Sequence, residues 1–278
     1  MSTQKIYEVS PEGPSFFFRF LEFLAQKNSW PLEFHHATEL SPAIYADAQA
    51  IAVDMSMSRP LLDDCQLQTT LVRNLQCLDS FFKDDGSWLP RNLLYEALRR
   101  VLITAARDLD IRQPAFAVGH DEKLRVIASL LAEVGFSDIY LVSTNLKDLE
   151  EETEFLSRRQ LGIRFHKVPA DELTMQVVSA GIVINSDELS TDEPLLSDLS
   201  YFNYMKGNGY VLDLHWDAEH NLLLEEAVNA ELKTLPPELI LWNLIQLWTE
   251  RLNISTQMKV EELRESWIFF LKQNSSSV

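Results

Sequence analysis

The chain is 278 residues long, 46% apolar and 24% charged, and its 42 acidic against 24 basic side chains leave a net charge of −18. That composition excludes a disordered, collagen-like or disulfide-built chain. The negative charge, relieved by no Lys/Arg-rich run, makes nucleic acid and anionic membranes poor partners. Only eight glycines occur, so little remains of the residue from which phosphate-cradling loops are made. Cys65 and Cys77 show neither CxxC spacing nor a His/Cys cluster, and reduced thiols are expected. Without a basic-apolar leader or an uncharged run approaching about 18 residues, a soluble cytoplasmic protein is expected.

The first hundred residues read as α+β. A strand spans Lys5 to Val9, Pro11-Glu-Gly-Pro14 turns the chain, and Ser15 caps a helix with Phe16, Phe20 and Phe23 on its apolar face. Strands are expected at Leu32 to Ala37 and Ala50 to Met55, hairpin punctuation at Asp84-Asp85-Gly86, and a helix from Asn92 to Thr104. After Ile111 strands and helices alternate. Apolar strands at Pro114 to Val118 and Ile139 to Val142 flank an amphipathic helix over Leu124 to Val134 that Gly135 stops. An acidic helix (Asp148 to Leu156), a strand (Ile163 to Val168), a short helix around Leu173 to Val178, and strands at Ile182 to Ile184 and Tyr210 to Leu214 follow. Continuous apolar strands alternating with helices describe a doubly wound parallel sheet. Helices at Glu238 to Leu252 and Val260 to Leu271 close the chain, the last packing on the first domain. The boundaries are thus an N-terminal domain at 1–105 completed by 256–273, and a Rossmann-like domain at 106–255.

In this order the segments resemble the shikimate dehydrogenase family: a small α/β substrate domain, a dinucleotide-binding domain and returning C-terminal helices. Ala115-Phe-Ala-Val-Gly119, Gly135-Phe-Ser-Asp-Ile-Tyr-Leu-Val142, Ala180-Gly-Ile-Val-Ile-Asn185 and Gly209-Tyr-Val-Leu-Asp213 carry the likeness in the second domain, and Leu222 to Ala227, Ile245 to Thr249 and Val260 to Arg264 in the closing helices. The resemblance implies an NAD(P)-dependent oxidoreductase, and the residues at its functional positions depart from that. Where the family cradles pyrophosphate with a Gly-x-Gly-Gly loop, this chain has Gly119-His120-Asp121-Glu122-Lys123. A carboxylate about 4 Å from a phosphate costs about 1 kcal/mol in water and about 4 near a protein surface. In the first turn of a helix the same two carboxylates stabilise the helix dipole by about 0.3–1 kcal/mol. The arginine that holds the ribose 2′-phosphate is replaced within Ser143-Thr144-Asn145.

On the substrate side the family's proton-transferring lysine aligns with Ser58, leaving Arg59 as the nearest cation, and an arginine stays protonated near neutral pH. The partner aspartate falls near Pro90 with Asn92 close by, the hydroxyl-binding glutamine falls near Ile240, and Glu8 lies where a carboxylate-binding serine would align. These positions are therefore read as degenerate, with no catalytic residue and no cofactor. His215, Asp217, Glu219 and His220 match no standard zinc spacing, and solvated loop polars are the expectation there. The acidic residues group at Asp148 to Glu154 and Asp187 to Asp198, with Glu150, Glu151 and Glu152 as candidate contacts for a basic protein. The leading reading is an inactive dehydrogenase-like scaffold that binds a protein or ligand. The alternatives are an oxidoreductase of altered specificity using Arg59 and a small-molecule sensor using the interdomain cleft.

Overall fold

A computed structural model describes residues 3–63, 65, 67–191, 193–216 and 220–275. The chain divides into two compact units, Met1–Ala97 with Leu241–Val278, and Leu98–Ile240.

Unit 1 is built on a five-stranded sheet of order β2-β1-β3-β4-β5, made from β1 (Gln4–Val9), β2 (Leu32–Ala37), β3 (Ala50–Val53), β4 (Ser80–Asp84) and β5 (Ser87–Arg91). Strand β1 is parallel to both β2 and β3, whereas β4 runs antiparallel to β3 and β5. Helix α1 (Phe16–Lys27) starts where the Ser15 hydroxyl accepts the Phe18 N–H, and α2 (Pro42–Asp47) starts likewise at Ser41. Strand β3 stops at Val53 because the Asp54 carboxylate accepts the Ser56 N–H and starts a 3₁₀ turn (Met55–Met57). Helices α3 (Ser58–Asp63), α4 (Thr70–Leu75) and α5 (Leu93–Ala105) follow, α5 running on across the unit boundary.

Unit 2 is a six-stranded, wholly parallel sheet of order β11-β10-β9-β6-β7-β8. Its elements are β6 (Ala115–Val118), α6 (Asp121–Val134), β7 (Asp138–Ser143), α7 (Leu146–Arg159), β8 (Arg164–Pro169), β9 (Ala180–Asn185), α8 (Pro194–Ser200), β10 (Met205–Asp213), α9 (Leu222–Asn229) and β11 (Lys233–Leu235). Every residue of β6 and β9 is buried, as expected of central strands covered on both faces. Gly135 ends α6 at φ +117°, its N–H reaching the Leu131 and Ala132 carbonyls, a turn that a side chain would strain. Because β6 and β9 are neighbours while the chain after β6 first winds the other way through β7 and β8, their C-terminal ends form the topological switch point where open α/β sheets place ligands.

Besides the earlier end of β3, other expectations differ from the structure. The helix expected around Leu173 to Val178 is a 3₁₀ segment at Ala170–Met175, since only Ala170 and Leu173 of it find the core. Helix α7 begins at Leu146 rather than Asp148, because the Asn145 side chain caps it. Helix α10 (Pro237–Arg251) crosses the unit boundary, and its Trp248 packs against Phe17 and Phe82 of unit 1. Helix α11 (Val260–Ser275) lies in unit 1, where Phe270 meets Phe16, Phe20 and Phe23 at 5.3–5.4 Å between ring centres. Among the described residues no helix is long and apolar enough to cross a membrane.

Candidate functional site

At the switch point the β6–α6 loop packs on the chain leaving β9 at Gly119 and stays exposed at His120 and Asp121. A Cβ on Gly119, at φ +153°, would lie 2.0 Å from the Ser186 hydroxyl, which donates to the Val118 carbonyl at 3.0 Å. Gly119 therefore has a local reason: it lets the chain leaving β9 lie against β6. His120 precedes α6 without capping it, and its Nδ1–H donates to Asp187 Oδ1 at 2.6 Å. Asp121 opens α6 at φ +53°, and its carboxyl meets that of Asp148. Asp148 is held above the usual carboxylate range, first by desolvation, then by the hydrogen bond to Asp121 and that group's charge. Asn145 Nδ2 also donates to Asp148, at 2.5 Å. Ser143 is fully buried and its hydroxyl accepts the Asn145 N–H, while Thr144 is exposed. Glu122 completes the acidic first turn of α6. Carboxyl groups from the starts of two helices thus converge where a dinucleotide's phosphates would meet this sheet.

Glu152 is corrected from a candidate surface contact to a buried one. It is 5% exposed and takes a bidentate ion pair from Arg125 at 2.7 and 2.5 Å, while the Arg125 guanidinium stacks on Phe155. Its position on the inner face of α7 turns it toward α6, whereas Glu150 and Glu151 stay exposed beside Lys167 and Lys147. Asp187 is also buried, 6% exposed, so neither acidic group of the sequence is wholly a surface. Burial raises the Glu152 carboxyl against the opposing pull of Arg125.

In unit 1 the substrate-type positions are wired into the fold. Ser58 is fully buried, its hydroxyl 2.6 Å from the Met55 carbonyl and 2.9 Å from that of Leu78 while accepting the Leu78 N–H at 3.1 Å. Asn92, also fully buried, accepts the Tyr95 N–H and donates to the Cys77 sulfur at 3.4 Å. Pro90 is buried in β5 opposite Phe81, whereas Ile240, fully buried, is the last residue of unit 2. Arg59 is exposed, with no ion pair among the described residues. Glu8 is buried and accepts the Ser15 N–H at 2.7 Å, and desolvation raises its carboxyl. The structure therefore brings Ser58 and Asn92 together around Cys77, as packing groups.

Three carboxylates hold roles here that the sequence reading did not assign to them. Asp79 accepts the Leu93 and Leu94 N–H groups at the start of α5 and the Ser80 hydroxyl, and burial pushes its carboxyl up to about 6. Asp187 and Asp213 each hold a histidine: His215 Nδ1 lies 2.7 Å from Asp213, and Asn185 bonds both loops, to the Asp187 carbonyl and the Asp213 carboxylate. The signal available was position, since Asp79 stands just before β4, Asp187 just after β9 and Asp213 at the end of β10. Of the four-residue metal candidate, His215 and His220 line a pocket of about 240 Å³, smaller than ordinary small-molecule sites. Asp217 and Glu219 lie outside the described residues, among which no group that could hold a metal ion occurs.

No protein-family model and no curated protein matches the sequence. Solved structures do. Shikimate 5-dehydrogenase from Thermus thermophilus in complex with shikimate is 12% identical, with TM-score 0.73 over 97% of this chain and 99% of that one. Quinate dehydrogenase from Corynebacterium glutamicum in complex with NAD is 11% identical, with TM-score 0.77 over 96% and 99%. Shikimate 5-dehydrogenase from Listeria monocytogenes in complex with shikimate and NAD is 14% identical, with TM-score 0.74 over 95% and 96%. The fold is the two-domain, shikimate-dehydrogenase-like one.

Proposed function

Given that fold, we propose that the protein is a scaffold without dehydrogenase chemistry that acts by binding. The observation that supports this best is the meeting of the Asp121 and Asp148 carboxyl groups at the start of α6. The residues present do not fit the dinucleotide that the fold family implies: a phosphate there would face two carboxyls, and Ser186 fills the space beside Gly119. On the other side, Ser58 and Asn92 hold their hydrogen bonds within the fold, and neither can shuttle a proton near neutral pH. Titration with NADH and NADPH, followed by nicotinamide fluorescence or heat, is expected to show no saturable binding at submillimolar concentration. Shikimate oxidation is expected to be undetectable. A low-micromolar Kd, or turnover, overturns the reading.

The partner this reading assigns is a basic protein meeting the exposed face of α7. Attraction to a surface of net charge −18 weakens as salt shortens the screening length to about 8 Å. Recovery of one partner from the native host should fall with salt and with Glu150→Lys and Glu151→Lys together; recovery unchanged by either removes that surface. A second reading, a dehydrogenase of altered specificity, is supported by the likeness to dehydrogenases over almost the whole chain, and the cofactor titration separates the two.

A further inference from the structure

In unit 1, at the N-terminal end of β1, a groove of about 720 Å³ runs between the turn after α1 and the segment joining α10 to α11. That volume lies within the range of small-molecule sites. We propose that it binds a neutral polyhydroxylated molecule, a saccharide ring. The positions degenerate in unit 1 are elsewhere: Gln4, in the groove, and Glu8 are four residues apart on β1, roughly 13 Å along an extended strand.

The chemistry of the lining carries the inference. Trp30 is half-buried in the wall, and among the described residues its indole makes no ring contact, cation contact or N–H hydrogen bond. It therefore presents an apolar face with a polar edge. Around it the side chains of Ser29, Asn253, Ser255 and Gln257 have no hydrogen-bond partner among the described residues, and Gln4 spends only Nε2, on the Leu252 carbonyl. Amides and hydroxyls offer a donor and an acceptor from one group, which is what neighbouring hydroxyls on one ring require, while the C–H face of that ring packs on an indole. Ser29 and Asn253, at φ +53° and +55°, turn the chain after α1 and α10 so that the residues following each helix line the groove.

Charge selects the neutral class. The ionic side chains in the lining are one lysine, Lys259, and one glutamate, Glu262, whose carboxylate already accepts the Lys259 N–H. An anion would meet a single lysine offset by that glutamate in a chain of net charge −18. A cation would meet one glutamate beside that lysine.

The test is saturation-transfer NMR and calorimetry on the intact chain with glucose, galactose, maltose and trehalose, each with a 6-phosphate counterpart where one exists, beside an array of neutral glycans. Binding of at least one neutral sugar is expected, with a Kd between about 10 µM and about 1 mM. Free sugars in calorimetry support a metabolite ligand, and array binding alone supports a glycan terminus; either sustains the proposal. Trp30→Ala should weaken binding at least about tenfold. Gln257→Ala, at an exposed loop side chain that leaves the core intact, should weaken it several-fold and serves if the tryptophan variant does not fold. No binding at about 10 mM, binding of phosphorylated sugars alone, or binding unchanged in both variants overturns the proposal.

Discussion

The two units hold the positions that the resemblance marks as functional in opposite physical ways. In unit 1 the positions that align with the family's proton-transfer and substrate residues are buried, and their polar atoms bond the fold itself, as Ser58 does with Met55 and Leu78 and Asn92 with Tyr95 and Cys77. In unit 2 the loop facing the switch point stays at the surface and carries like charges, with Asp121 against Asp148 and His120 held by Asp187. A site closed by burial is part of the folding free energy, so reopening it destabilises the protein. A site closed by surface charge costs little to alter, because solvent screens it.

The largest expected effect is in unit 1. Ser58→Lys buries an uncompensated ammonium among carbonyls and sulfur, costing about 3–5 kcal/mol, and the urea midpoint should collapse or the chain fail to fold. A soluble Ser58→Lys protein of unchanged midpoint would mean that this position is open after all, and the contrast between the units would fall.

Next comes Asp79. Its folded carboxyl, raised to about 6, lies above the unfolded value of about 3.9, so the protonated form is favoured by folding. Its contribution is fully present below about pH 4 and lost as pH rises to about 6, by at most about 3 kcal/mol. Asp79→Asn should flatten that limb of the stability curve. In unit 2 the sign reverses: Arg164 holds Asp138 below the carboxylate range, and Lys233 with Tyr210 holds Asp108 at about 2. That stability is present above about pH 4 and lost below it, so Asp138→Asn should flatten only the acid limb. Denaturant titrations from about pH 2 to about pH 8 read both limbs; an Asp79→Asn curve parallel to wild type refutes the assignment.

Gly119→Ala tests whether this glycine serves packing. The clash with the Ser186 hydroxyl should cost about 1–3 kcal/mol, and Ser186→Ala in the same chain should recover part of it. A thermodynamic cycle with a coupling energy below about 0.5 kcal/mol would remove Ser186 as the reason. The smallest effect is expected at Asp121→Asn, which relieves the contact with Asp148 but gives up a favourable charge at the start of α6. The net change should stay within about 0.5 kcal/mol, the Asp148 carboxyl titrating at lower pH by NMR. A loss of several kcal/mol there would show that this loop, too, is closed by burial.

Much of the fold was legible in the chain itself. Continuous apolar runs at Ala115 to Val118 and Ala180 to Asn185, with Gly135 ending an amphipathic helix between strands, specify a parallel sheet, because periodicity and backbone freedom are local properties. The acidic residues Asp121 and Glu122 at the start of α6 could likewise be read directly. What only the tertiary structure decided was the company each residue keeps. Glu150, Glu151 and Glu152 are consecutive, and helical rotation alone leaves open which of them meets Arg125. Asp148 and Asp187 reach the β6–α6 loop from β7 and β9, strands that hydrogen bonding places on either side of β6. Gly119 reads as the remnant of a phosphate loop until Ser186 is found against it. Spacing along a chain encodes elements, whereas burial and pairing between distant side chains arise only once those elements pack.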